Sequence, residues 1–211
     1  MNICLTAPGQ TGGTTITEPS IRDRLQTAAT ELFAEQGFAG TSVREICARA
    51  DASVPMISHY FGSKKGLFDR IVGQLSGDVF DVPVRLLGGE LKSRDEFLTK
   101  LELFISETFN ALVSLAPVFR IITREGGAFA DMTKVKDALA GFLTQAQARG
   151  FLRASLRPEL TTSLVLDRLG NQVLFAVKFS DTAPSVLTDS DLRAEWLAAN
   201  TDVLLFGLAG E

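Results

Sequence analysis

Between Ser42 and Lys64 the chain reads Ser-Val-Arg-Glu-Ile-Cys-Ala-Arg-Ala-Asp-Ala-Ser-Val-Pro-Met-Ile-Ser-His-Tyr-Phe-Gly-Ser-Lys, and few folds accept this stretch. Ser42 is an N-cap, because its hydroxyl can accept from the free amides of a first helical turn. Glu45, three residues on, reaches back to complete a capping box. Val43, Ile46, Cys47 and Ala50 then share one face at helical spacing, while Arg44, Glu45 and Arg49 point elsewhere. The small residues Ala50 and Ala52 flank Asp51, where the chain must bend sharply. Ser53 is expected to cap a second helix with Pro55 in its first turn, where amides lack partners anyway. Ile57 and Phe61 form its buried stripe, leaving Val54, Met56, Ser58, His59 and Tyr60 around its outer surface. Two short helices at this spacing make a helix-turn-helix, whose second helix presents side chains to base edges in a DNA major groove.

The 211 residues are 45% apolar, enough for one large or two small domains with a substantial core. A net charge of -4 argues against a generally basic nucleic-acid coat protein. The charge is uneven: residues 1–75 hold seven Lys/Arg and seven Asp/Glu, so residues 76–211 carry the whole deficit. Two cysteines, Cys4 and Cys47, make no disulfide framework and fit a reduced compartment. The start lacks the basic-then-apolar pattern of a secretory signal, and no stretch approaches the ~20 apolar residues of a bilayer crossing. The expectation is a soluble, cytoplasmic protein with no membrane partner.

Residues 1–19 are rich in Thr, Gly and Pro without periodicity and read as a disordered tail. A first helix runs from Ser20 to Gly37, with Ile21, Leu25, Ala28, Ala29, Leu32 and Phe33 on one face and Gly37 as a left-handed C-terminal cap. Phe38 is expected to pack back on it. After Gly62, Ser63 caps a helix carrying Leu67, Phe68, Ile71, Val72 and Leu75, expected to continue as a long connector toward Phe80. Further helices are expected from Ser93, from Pro117 to Arg124, over 134–149, from Pro158 to about Phe179, and from Leu192 to Leu208. The forecast is an all-α fold of about nine helices: a helix-turn-helix domain over 20–66 and a helical body over 67–211.

The first helix, Gly37-Phe38, Thr41-Ser-Val-Arg-Glu-Ile46, Ala50-Asp-Ala-Ser53 and Tyr60-Phe61-Gly-Ser-Lys64-x-x-Leu67-Phe68 together resemble the DNA-binding domain of the tetracycline-repressor (TetR) family. The likeness runs without gaps over about residues 21–75; beyond it only the number and length of helices agree. This chain departs from the family pattern at Ser58, where many relatives carry tyrosine. It also has Tyr60-Phe61 in place of a histidine-phenylalanine pair, and Asp51 in place of a small glycine.

The resemblance implies a double-stranded DNA operator as partner and a phosphate contact for Lys64, whose ammonium would sit beside free helix-N-terminal amides. Thr41, Ser42, Arg44 and Tyr60 are further phosphate candidates, although capping is the safer role for Thr41 and Ser42. Base reading is assigned to Ser53, Val54, Pro55, Met56 and His59: apolar surfaces suit thymine methyl groups, and an imidazole suits a purine edge. The chain's single histidine lacks convergent ligands, since Cys47 lies on the buried face, so no metal is expected. No nucleophile–base pair or phosphate loop points to an enzyme, and no cofactor is implied.

In the body, Phe97, Phe104, Phe109, Phe119, Phe142 and Phe175 are candidate walls of a cavity for an apolar small-molecule effector, with Arg120, Thr123, Arg124, Asn171 or Gln172 fixing its orientation. Each of these aromatics also reads as plain core. Val165, Leu169 and Val173, with Leu192, Trp196 and Val203, exceed one inward stripe and suggest a homodimer interface of the last two helices. The composite expectation is a repressor that binds a pseudo-palindromic operator and is released when the effector tilts the connector helix. The competing reading is a helical small-molecule binder with a non-functional DNA head, which a gel shift on its own upstream DNA would separate.

Overall fold

The computed structural model describes residues 19–73, 78–125, 132–179 and 185–208. Apart from residue 19, the tail expected over 1–19 lies outside the described residues, as do Cys4 and Leu75. Ten α-helices follow one another: α1 (Ile21–Gly40), α2 (Val43–Arg49), α3 (Pro55–Phe61), α4 (Lys64–Val72), α5 (Asp81–Leu86), α6 (Arg94–Ser114), α7 (Ala116–Glu125), α8 (Thr133–Ala148), α9 (Pro158–Phe179) and α10 (Ser190–Leu208). A short 3₁₀ turn, Asp78–Phe80, precedes α5. The only extended pairing among the described residues is an isolated bridge at Leu152.

Several helix starts lie where their capping residues put them. Ser20, Ser42, Ser63 and Ser93 each accept a backbone amide three residues on, and Asp189 Oδ1 accepts from the amides of Asp191 and Leu192. The connector after Ser63 differs from expectation. It is not one helix to Phe80: α4 ends at Val72 with Gly73 as its C-cap. Glycine disfavours a helix interior by ~1 kcal/mol relative to alanine. The separate α5 is the helix beyond the nine expected, and it holds Pro83 in its first turn, where no amide is needed. The division placed at 66/67 falls inside α4.

α6 organises the body. Its residues Phe97, Leu101, Phe104, Ile105 and Phe109 are all fully buried. Phe97 stacks on Phe142 of α8 at 5.6 Å, and Phe109 on Trp196 of α10 at 4.5 Å. α9 packs on α6, α7 and α8, presenting Val165, Leu169 and Val173 inward. α1 packs along α7 and so joins the N-terminal helices to the body; one apolar core runs from Leu25 to Leu208. No single described helix is long and apolar enough to cross a membrane; α6 and α7 reach the required composition only as a pair bent by 56°.

Candidate nucleic-acid interface

α2 is closed at both ends by its own sequence. The Glu45 amide donates to Ser42 Oγ at 3.2 Å and the Ser42 amide to Glu45 Oε2 at 2.7 Å, which is the expected capping box. Hydrogen bonds from the Ser42 hydroxyl and from its amide hold the Glu45 carboxyl below its ordinary pKa. At the other end, the Asp51 amide bonds to the Ala48 carbonyl and the Ala52 amide to the Cys47 carbonyl. This is a Schellman closure, with Asp51 at φ +48° in the left-handed place usually given to glycine. Aspartate tolerates that conformation better than most residues. Arg24 of α1 donates to the Ala50 and Asp51 carbonyls at 3.1 and 3.2 Å and fastens the turn from below. Nothing local to Arg24 in the sequence announces this contact. Burial pushes the Cys47 thiol up.

α3 starts differently from expectation. Its N-cap is Val54, with no side-chain cap; Ser53 does not cap, and its carbonyl accepts the Met56 amide at 3.0 Å instead. The freed Ser53 hydroxyl stands exposed. Ile57, 2% exposed, pins the helix to the core, and α3 packs mainly on α4 and α1. Its outer surface presents Ser53, Val54, Pro55, Ser58, His59 and Tyr60, while Met56 is half-buried. Val54 is 47% and Tyr60 39% exposed. The His59 and Tyr60 rings meet edge-on at 4.8 Å, which presents them as a unit. Ser58 belongs to this surface by position although it was not among the base-reading candidates. Ser42 and Arg44 of α2 are exposed beside it.

Two of the phosphate candidates are turned inward. Thr41 is 2% exposed and its hydroxyl donates to the Gly37 carbonyl at 2.8 Å. Lys64 is half-buried; its ammonium donates to the Phe38 and Thr41 carbonyls at 2.7 and 2.8 Å and lies 4.2 Å from the Phe38 ring centroid. These carbonyls, one in the last turn of α1 and one just beyond it, hold the ammonium, so Lys64 clamps α4 to the α1–α2 joint. Phe38 packs against Phe33 and Phe68, as expected.

α4 also approaches α3 closely. A Cβ on Gly66 would lie 2.1 Å from the Phe61 carbonyl oxygen, nearer than any atoms can sit. Gly66→Ala is therefore expected to lower stability by ~1–3 kcal/mol, the usual penalty of overpacking. The check is urea unfolding followed by circular dichroism, with an unchanged midpoint as the contrary result.

The body holds a cavity of about 310 Å³ with apolar walls from Phe80, Leu112, Phe119, Met132 and Leu174. Lys136 of α8 and Ser163, Asp167 and Asn171 of α9 supply its polar atoms. Of the effector-binding candidates, Phe119 and Asn171 line it. Phe104 and Phe109 are fully buried core, Arg120 and Thr123 sit on α7 outside its lining, and Phe175 is 63% exposed on the outer side of α9. There, Asp167, Asn171, Phe175 and Trp196 border an open groove between α9 and α10.

The dimerisation candidates separate in the same way. Val165, Leu169 and Val173 are buried within the chain and cannot meet a partner, and Trp196 is half-buried against Phe109. Leu192 and Val203 are exposed, as are Leu160, Leu164, Phe175, Phe179 and Phe206, the last by 80%. α9 is apolar on two faces, so periodicity alone could not say which face is inward. The exposed apolar residues of α9 are Leu160, Leu164, Phe175 and Phe179, not the predicted Val165, Leu169 and Val173.

The profile of the bacterial regulatory proteins, tetR family, matches residues 25–71, which covers α1 to most of α4. The "Probable HTH-type transcriptional regulator YttP" of Bacillus subtilis is 46% identical over 55 residues, 26% of this chain and 27% of that protein. The match thus spans about a quarter of that relative's length. The HTH-type transcriptional repressor NicS of Pseudomonas putida is 24% identical over 199 residues, 89% of this chain and 92% of its own. Among solved structures, the TetR family transcriptional regulator PfmR from Thermus thermophilus superposes with a TM-score of 0.64 at 19% identity, covering 89% of this chain and 96% of that one. The ketosteroid transcriptional regulator KstR2 of Mycobacterium tuberculosis gives 0.63 at 20%, covering 91% and 96%. At these identities the superpositions speak to the fold alone. The outward-facing helix-turn-helix and these likenesses agree: residues 25–71 form a DNA-binding domain of the kind found in the tetR family of bacterial regulatory proteins.

Proposed function

We propose that the chain is a tetR-family transcriptional regulator that acts as a homodimer on a pseudo-palindromic operator and is released by a small-molecule effector held in the body. The observation that carries the reading is α3, anchored from beneath by Ile57 and bare on the side bearing Ser53, Val54, Pro55, Ser58, His59 and Tyr60. A buried anchor under an uncovered apolar and hydrogen-bonding surface is what insertion into a major groove requires. Two such helices must stand ~34–36 Å apart to meet successive grooves. The exposed apolar residues of α9 and α10 supply a face on which two copies can pair. The relative NicS carries the name of a repressor, and repression fits a protein that lets go on binding its ligand. Thr41 and Lys64 serve this interface by holding the joint, while Ser42, Arg44 and Tyr60 are the exposed phosphate candidates. The effector has an apolar body to match Phe119 and Leu174 and a polar end for Lys136, Asp167 or Asn171. To move the protein from mostly bound to mostly free it must prefer the DNA-incompetent state by ~10⁴-fold.

Selection of binding sites from random duplexes tests the reading, and recovery of a two-fold repeated half-site is the expected result. On that operator Val54→Ala and His59→Ala are expected to cost about 1–3 kcal/mol each, the worth of a base contact. Their affinity for random duplex should stay within about twofold. Equal losses on both DNAs, or no half-site at all, contradict the proposal.

A further inference from the structure

α7 touches both ends of the proposed switch. Its residue Phe119 forms part of the cavity wall. Six residues on, about 9 Å at 1.5 Å per residue, its last two residues close on a break in α1. That break is Gly37, at φ +78° in the left-handed region, which ends the regular α1 and starts a new turn. The Phe38 amide that follows is donated to Glu125 Oε1 at 2.8 Å, and Arg124 Nη1 donates to the Glu35 carbonyl at 2.6 Å. A carboxylate on one side of the break and a guanidinium on the other therefore take up backbone groups that flank it. The fit is close: a Cβ on Gly37 would lie 2.6 Å from Glu125 Oε1 and 3.2 Å from Arg124 Nε. Beyond the break, the Phe38 and Thr41 carbonyls receive Lys64, and Ser42 begins α2. The direction in which α2 and α3 leave α1 is thus set where α7 ends.

We propose that Arg124 and Glu125 are positioning residues that transmit the state of the body cavity through α7 to the Gly37–Thr41 joint, and so to the pitch of α3. Between Phe119 and Arg124 the helix is packed by Ile121 and Ile122, 0% and 2% exposed, so a displacement of the cavity wall is passed on rather than absorbed. Charge-assisted bonds at its end give the joint two definite partners to keep or lose. This inference rests on the proposed function, because it assigns the route by which that cavity acts.

Gly170 offers a probe that needs no identified effector. It lines the cavity, and a Cβ there meets nothing within 4 Å; Gly170→Leu therefore fills the space from within. The experiment is a double-mutant cycle on the full chain, read as affinity for the selected operator and for random duplex. Gly170→Leu is expected to weaken operator binding at least tenfold in the parent and less than twofold in the Arg124→Ala/Glu125→Ala background. Glu125→Gln, which keeps the accepting oxygen, should restore most of the parent's response when Arg124 is retained. Amide exchange at Phe38 should quicken at least tenfold in Glu125→Ala, a readout that registers even if Gly170→Leu folds poorly. An unchanged Gly170→Leu effect in the double-alanine background overturns the route, as does no effect in the parent or an unaltered Phe38 exchange rate. Absence of operator binding by the parent would instead overturn the proposed function, which keeps the two failures distinct.

Discussion

Replacing Leu164 and Phe206 together by aspartate yields a monomer that keeps its helical content. Leu164 is 67% and Phe206 80% exposed in the single chain, so the exchange removes little that holds one copy together. In a two-fold assembly every change counts twice. Each large apolar side chain withdrawn from water contributes ~1.5–3 kcal/mol, so two residues in two copies account for ~6–12 kcal/mol. Even the lower figure corresponds to about four decades in dissociation constant, before any cost of burying four carboxylates. Sedimentation velocity over a dilution series is the measurement, with circular dichroism on the same samples. Operator affinity should fall with the dimer, because each half-site is then bound alone. A variant that sediments as the parent does, at every concentration, would remove the α9–α10 face from the assembly.

The second large effect is on stability. Phe104→Ala is expected to destabilise by ~3–5 kcal/mol, as for other fully enclosed phenylalanines. Whole domains of this kind are stable by only ~5–15 kcal/mol. For a chain of this size the melting temperature should fall by roughly 6–20 °C, at ~2–4 °C per kcal/mol. Phe104 is 0% exposed at the centre of α6, and its ring has nowhere to retreat from the void its loss would leave. Phe119→Ala should cost less, because that ring already borders empty space, and it should enlarge the cavity. Calorimetric melts of the two variants decide between core and cavity wall. Phe104→Ala within about 2 °C of the parent would return Phe104 to the ligand site that its spacing first suggested.

The helix-turn-helix was legible because its signals are short-range. A serine and a glutamate three apart, a proline in a first turn and Gly62-Ser63 act on their own neighbours, and α2 and α4 start accordingly. Ser53 misled for the same reason: a capping residue type lay two residues before Pro55, but the turn leaving Asp51 brought Val54 to the helix entry instead. Side chains with several possible partners were not legible. Lys64 satisfies two carbonyls in the stretch after Gly37 that no local pattern marks as its partners. Arg24, Arg124 and Glu125 find acceptors or donors 26 to 89 residues away. The phase of α9 was beyond pattern reading as well, since a helix apolar on two sides gives the same periodicity whichever side faces in. The cavity suffered from the fifteen phenylalanines. Their spacing marks them as helical and inward, and only packing decides which of them leaves a gap.

Asp167 and Asn171 border two spaces at once, the cavity within the body and the open groove between α9 and α10. A second copy seated on that groove would press on residues that also line the cavity. Pairing and ligand occupancy would then bear on each other, each changing the other's affinity by the same factor.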